Sequence, residues 1–126
     1  HSTNLREQTL EATQPLGLRL SKLLEEADRK DWQDQEVIGP IFSPACYIEH
    51  SVPSLLYLLA KYETDAEKAL IANTEAGGDN CHRGAILGAL LGAAGGTSVF
   101  PSRWIEQLYD RTTILEEIEY FIESVN

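Results

Sequence analysis

The stretch Ala76-Gly77-Gly78-Asp79-Asn80-Cys81-His82-Arg83-Gly84 runs directly into the apolar segment from Ala85 to Gly96. Paired glycines reach backbone conformations closed to other residues and predict a tight turn. One carboxylate follows, and small residues then recur at every fourth position: Gly84, Gly88, Gly92 and Gly96. That spacing places them on one face of a helix. A glycine inside a helix costs about 1 kcal/mol relative to alanine, so a stripe of them predicts very close approach by neighbouring helices. Most of this element is therefore expected to be buried. Only its N-terminal end, with Asp79, Cys81 and His82, is expected to face a cleft.

Upstream of this unit, Ser51 reads as a helix N-cap with Pro53 in the first turn, where its missing N–H is not needed. Leu55, Leu56, Leu58, Leu59 and Tyr62 follow, apolar nearly all round, which predicts a central helix. Thr64 or Asp65 caps the next helix, Ala66 to Asn73, which ends at the glycine turn. Downstream, Pro101-Ser102 opens a short helix carrying Trp104, Ile105 and Leu108. Thr113-Ile114-Leu115-Glu116 has the form of a capping box and opens a last helix. Its apolar face is Ile114, Ile118, Phe121, Ile122 and Val125, and Glu116, Glu117 and Glu119 form a solvated face.

Nearer the N-terminus, residues 3 to 12 carry a weak helical pattern that Pro15 interrupts. Leu16, Leu20, Leu23, Leu24 and Ala27 then mark one face of a helix over 16–27. The polar run Asp28 to Gln35 loses that periodicity, and prolines 40 and 44 bar regular pairing. A long irregular loop over about residues 29 to 50 is expected. Trp32, Trp104 and Tyr109 read as core or core-edge residues. With no internal repeat, the chain reads as all-α, a compact multi-helix bundle.

At 126 residues the chain suffices for one domain with a real core. Its net charge of −10 argues against nucleic acid, which requires a basic stripe. The apolar run from Ala85 to Ala94 is roughly half of a bilayer span, so no membrane crossing is expected despite its GxxxG spacing. Cys46 and Cys81 are too few for a disulfide framework and form no CxxC pair. A reducing, cytoplasmic location is the expectation. The chain starts at His1 and has no methionine, and so reads as a piece of a longer protein.

Chemistry is expected at two places. Side chains in the first turn of a helix lean toward its N-terminus, where several N–H groups also lack partners. Asp79, Cys81 and His82 could thus hold a cation on their side chains, or the turn could hold an anion on its N–H groups. The plainer alternative makes Asp79 a cap, Cys81 a buried filler and His82 a loop-bridging hydrogen-bonder. The second cluster is Cys46-Tyr47-Ile48-Glu49-His50-Ser51, a loop in which Glu49 and His50 could act as acid/base or ligand groups. Its alternative is a solvated turn before a capped helix. A nucleophilic Cys81 with His82 or His50 as base is a weaker idea, because neighbours in one helical turn point about 100° apart.

The order of motifs is more specific than any of these spacings. Glu49-His50-Ser51-Val52-Pro53 precedes an apolar helix. An Asp-x-x-x-Ala-Leu segment (Asp65 to Leu70, with Asn73) comes next, then Gly77-Gly78-Asp79, the Gly/Ala-rich helix and Pro101-x-x-Trp104-x-x-x-Leu108. Over residues 45 to 108 this resembles the C-terminal part of the ADP-ribosylglycohydrolase family, which includes a lens crystallin; the two ends match only as helices. The resemblance implies an all-α fold that ordinarily needs roughly twice this length, so residues 1–126 are expected to be the C-terminal segment of one such domain. It also implies hydrolysis of the bond between ADP-ribose and a modified side chain or ligand at a two-magnesium site.

In the family, metal ligands come from an N-terminal Thr-Asp-Asp segment, absent here, and from a Gly-Gly-Asp-Thr-Asp-Thr segment. Asp79 stands at the first aspartate of the latter, Cys81 at the second and His82 at the last threonine. The resemblance thus implies Asp79, Cys81 and His82 as the metal set and Gly77, Gly78, Asn80, Glu49 and His50 as substrate-binding residues. It singles out no catalytic residue. Magnesium takes hard oxygen ligands, so Cys81 and His82 suit zinc better, or mark a site that has lost its metal. The alternative function is a non-catalytic ADP-ribose-binding or crystallin-like relative. The isolated 126 residues are expected to be inactive, with apolar faces exposed or paired with another copy.

Overall fold

The computed structural model describes residues 4–125. The expected first helix begins at Thr3, which lies outside them. Asn4 is the N-cap of α1 (Leu5–Thr13): its side-chain oxygen accepts from the Glu7 N–H at 2.8 Å. Pro15 interrupts the helix as expected: α1 stops at Thr13, and Pro15 sits in a single 3-10 turn, Gln14–Leu16. Gly17 then turns the backbone with φ 68°. Because of that turn α2 runs from Leu20 to Lys30, rather than from Leu16, and Leu16 is left exposed. The face Leu20, Leu24 and Ala27 is buried as its periodicity predicts.

The polar run after residue 28 is more ordered than its composition predicts. Asp31 ends α2 in the left-handed region, and a short helix, α3 (Asp34–Val37), follows. A capping box opens it, the Gln33 N–H donating to Glu36 Oε2 at 2.7 Å. Ile38 and Phe42 form an isolated bridge; among the described residues this is the extent of strand-like pairing. The loop then continues to Tyr47.

The central helix, α4 (Ile48–Tyr62), starts three residues before the expected Ser51 cap. Glu49 and His50 therefore lie in its first turn and not in a loop. Ser51 is helical, its hydroxyl donating back to the Tyr47 carbonyl at 3.1 Å. Pro53 sits well inside the helix, so the carbonyl four residues before it loses its usual donor. Ser54, Tyr57, Leu58 and Ala60 are fully buried, and α4 is packed by α1 and α2.

Two further helices cover the rest of α4. Asp65, not Thr64, caps α5 (Ala66–Glu75), accepting from the Lys68 N–H at 3.1 Å. After the glycine turn comes α6 (Asn80–Gly95); α4, α5 and α6 pack on one another. Only one stripe of α6 is buried, Arg83, Leu87 and Leu91, so the expectation of a mostly buried element is corrected. Ala85, Ile86, Ala89, Leu90, Ala93 and Ala94 are exposed on the other side.

The glycine stripe has a mixed explanation. A Cβ on Gly84 would lie 3.0 Å from Asn73 Nδ2, and one on Gly92 3.3 Å from the Phe100 ring, both close approaches. Gly88 meets nothing within 4 Å, and Gly96 stands beyond the helix end.

A second 3-10 turn, Thr97–Val99, leads to α7 (Ser102–Glu106), which is tied to α5 by an ion pair between Arg103 and Glu67. The last helix, α8 (Arg111–Val125), starts before the expected capping box; Thr113 lies inside it and donates to Asp110 Oδ1 at 2.8 Å. No residue of α8 is buried. Trp32 packs against the core, but Tyr109 is 93% exposed, against expectation. The all-α bundle is as expected, and its core lies where α4 meets α1, α2, α5 and α6.

Candidate functional site

Gly77 and Gly78 both hold positive φ, 68° and 63°, and give the tight turn that the paired glycines predict. At Gly78 the requirement is steric as well: a Cβ would lie 2.2 Å from the Pro44 carbonyl oxygen and 2.5 Å from the Pro44 Cβ. The next N–H, of Asp79, donates to that same carbonyl at 3.0 Å. The turn before α6 is thereby pressed onto the loop before α4.

Arg83 holds the other side of this junction. It is 2% exposed, and its Nε donates to Asn73 Oδ1 at 3.0 Å. Its Nη2 donates to the Gly77 carbonyl at 2.7 Å and to that of Asn73 at 3.4 Å, and Nη1 to that of Pro44 at 3.4 Å. Asn73 Nδ2 donates in turn to the Asn80 carbonyl at 2.8 Å. Burial lowers the pKa of the guanidinium, and the neighbouring Asp79 charge opposes the shift. A planar fork with five donors suits such a task, and lysine could not reproduce it.

Asp79 is the N-cap of α6, but its carboxylate accepts from no backbone N–H. It meets Nδ1 of His82 at 2.5 Å instead. Both residues line a small cleft of 70 Å³ together with Cys46, Ser51, Val52, Leu55, Arg83 and Ile86. The cleft has apolar walls from α4 and α6 and a polar end at the carboxylate–imidazole pair. The carboxylate can orient the ring through Nδ1, leaving Nε2 available to another group.

The remaining sequence-derived residues divide clearly. Gly77, Gly78 and Asn80 lie in or beside the turn, and the Asn80 Oδ1 accepts from the Cys81 thiol at 3.7 Å. Cys81 is exposed and does not line the cleft; Cys46 does. Glu49 lines a different cleft with Leu16, Leu18, Ile48, Val52 and Pro53, so it does not join Asp79. His50 is half-buried, and its carbonyl accepts from the Ser54 hydroxyl at 2.8 Å.

Magnesium would need several oxygen ligands converging on one point. Among the described residues no three His, Cys, Asp or Glu side chains converge on a point that could hold a metal ion. The one carboxylate at the turn is engaged with His82, and Cys81 does not line the cleft. The donors within this chain do not by themselves fit the magnesium centre that the motif implies.

The family model for ADP-ribosylglycohydrolase matches residues 3–125. The chain belongs to the ADP-ribosylglycohydrolase family. The match reaches well beyond residues 45–108, on which the motif series rests, and takes in α1, α2 and α8. No curated protein and no solved structure matches the chain. The Gly77-Gly78 turn and Asp79 at the head of α6 lie within the residues that match the ADP-ribosylglycohydrolase family.

Sequence reasoning passed over Arg83 and Pro44. Arg83 stands four residues before Leu87 and eight before Leu91, on the single buried stripe of α6, and a charged residue at such a position signals a buried polar anchor. Pro44 carries no local signal, because its role is to receive a turn that comes much later in the chain.

Proposed function

We propose that this chain contributes the Asp79 side of an ADP-ribosylglycohydrolase site, which cleaves the glycosidic bond between ADP-ribose and a modified side chain or small ligand. One observation carries the reading: Asp79, placed by the Gly77-Gly78 turn, opens onto a cleft at the head of α6 and is not consumed as a helix cap. A carboxylate there can accept hydrogen bonds from ribose hydroxyls. The N–H groups of the first turn of α6 lack a capping side chain and suit the diphosphate. His82, oriented by Asp79, is the group within reach that can pass a proton. Asp79, Cys81 and His82 remain the proposed metal set and Gly77, Gly78, Asn80, Glu49 and His50 the proposed substrate contacts. Cys81, Glu49 and His50 need a rearrangement to join.

The test is release of ADP-ribose from ADP-ribosylated arginine, serine and small-molecule substrates, with magnesium, manganese or zinc added. It is run on the 126-residue chain and on a longer protein containing it. The expected result is turnover by the longer protein, loss with Asp79→Ala, and none by the 126 residues alone. No turnover by the longer protein with any metal would remove the hydrolase reading.

The Asp79–His82 contact favours a second reading, a non-catalytic relative that binds ADP-ribose or serves a structural, crystallin-like role. Saturable ADP-ribose binding by calorimetry without hydrolysis would support its binding form.

Two further parts belong to this reading. The exposed apolar face of α8 supports self-association through a second copy. The two free, exposed thiols support residence in a reducing compartment such as the cytoplasm. None of the helices among the described residues is long and apolar enough to cross a membrane.

A further inference from the structure

A second cleft lies away from Asp79, where Gly17 and the start of α2 face the loop after α3. It measures 310 Å³ and is lined by Gly17, Leu18, Leu20, Leu23, Ile41, Phe42 and Pro53, with Arg19 as its charged residue. The volume and the mostly apolar wall with one polar feature are those of a small-molecule site. Leu18 and Pro53 are shared with a neighbouring cleft of 280 Å³ whose other walls are Leu16, Ile48, Glu49 and Val52. Together they form an apolar trough with a cation at one end and a carboxylate at the other.

Arg19 is the charged residue of the first cleft. The chain has 20 acidic against 10 basic residues, yet the Arg19 guanidinium has no ion pair, hydrogen bond or ring contact among the described residues. Arg29, Lys30, Lys61, Lys68 and Arg103 have carboxylate partners, and Arg6, Lys22 and Arg111 among the described residues share Arg19's lack of one; what distinguishes Arg19 is that it lines the cleft. An unpaired guanidinium at the rim of an apolar cleft is a receptor for a planar anion, which it can bind by two parallel hydrogen bonds. Glu49 at the far end disfavours a second negative charge there.

We propose that this trough binds a small monocarboxylate with an apolar chain. Its carboxylate pairs with Arg19, and its chain lies on Leu20, Leu23, Phe42 and Pro53 and runs past Leu18 toward Ile48. The trough borders the Asp79 cleft at Val52 and includes Glu49, but the proposal does not rest on the hydrolase reading.

The test uses decanoate, hexanoate and decanol as probes on the 126-residue chain, with calorimetry for affinity and amide NMR shifts for location. Decanoate is expected to bind at one site, shifting residues 17–23, 41–42 and 48–53. Arg19→Gln, an exposed change that spares the fold, is expected to weaken it about tenfold, the usual worth of a charged hydrogen bond. Decanol should bind the unaltered chain no better than decanoate binds Arg19→Gln. Hexanoate should be at least roughly tenfold weaker than decanoate, because it buries fewer methylenes. No saturable binding, equal affinity in Arg19→Gln, decanol matching decanoate, or shifts confined elsewhere would each overturn the proposal.

Discussion

The Asp79 N–H hangs from the Pro44 carbonyl at 3.0 Å, and the glycine before Asp79 has no room for a side chain against the same proline. The candidate site is therefore built across two segments far apart in sequence. Its geometry depends on how closely the turn before α6 can press on the loop before α4.

Gly78→Ala is expected to destabilise the fold by roughly 2–4 kcal/mol, through overpacking against Pro44 added to a left-handed backbone. Gly77→Ala has the same backbone sign but open space at its Cβ, and should cost only about 1–2 kcal/mol. Urea denaturation of both variants checks the difference; equal losses would show that the contact with Pro44 is unimportant.

Arg83→Met should cost about 3 kcal/mol or more, because it strands the carbonyls of Asn73 and Gly77 and the Asn73 side chain in a buried position. Arg83→Lys should recover part of this and not all, since an ammonium presents its donors from one nitrogen and cannot span the acceptors that Nε, Nη1 and Nη2 reach separately. Full recovery by lysine would mean that charge alone matters there.

Asp79→Asn is expected to leave stability within about 1 kcal/mol of the parent, because the carboxylate caps no backbone N–H of α6. The same change should abolish binding of ADP-ribose measured by calorimetry. A large stability loss with binding retained would reverse the roles assigned here.

Asp34 anchors a second polar cluster, accepting from the Tyr57 hydroxyl at 3.0 Å, the Lys61 ammonium at 2.8 Å and the Tyr62 hydroxyl at 2.5 Å. Burial above all, and then Asp34 itself, pushes both phenols well above their ordinary pKa. A raised pKa in the folded state means that this contribution is full below about pH 10, where the unfolded phenols are still neutral, and declines as pH climbs toward the folded values. Alkaline unfolding should therefore set in above about pH 10. Tyr57→Phe and Tyr62→Phe should each cost about 1–2 kcal/mol at neutral pH and flatten that alkaline slope. Phenolate absorbance followed with helicity checks it in a chain whose exposed Tyr47, Tyr109 and Tyr120 are replaced by Phe: remaining phenols that titrate near pH 10 before any helix is lost would contradict the assignment.

Self-association through α8 should strengthen with salt, since two copies of charge −10 repel. Ile118→Glu or Phe121→Glu should reduce it without affecting the buried core, because neither residue is buried. Sedimentation across ionic strength reads both effects; a monomer at every salt concentration would dismiss the contact.

Hydrophobic periodicity by itself determined the helical class, the central place of Leu55 to Tyr62, the buried face of α2, and a tight turn at Gly77-Gly78. These depend on local spacing and on backbone preferences carried by single residues, so they are legible along the chain. The ordered run after Asp28 is not legible along the chain, because its capping box rests on Gln33 and Glu36, residues with no apolar stripe behind them. The tertiary structure alone decided which side of α6 is buried, which cysteine reaches the cleft, and that Arg83 joins residues 44, 73 and 77. Each of those depends on contacts between distant segments, and a carbonyl such as that of Pro44 gives no sign in the sequence of which N–H will find it.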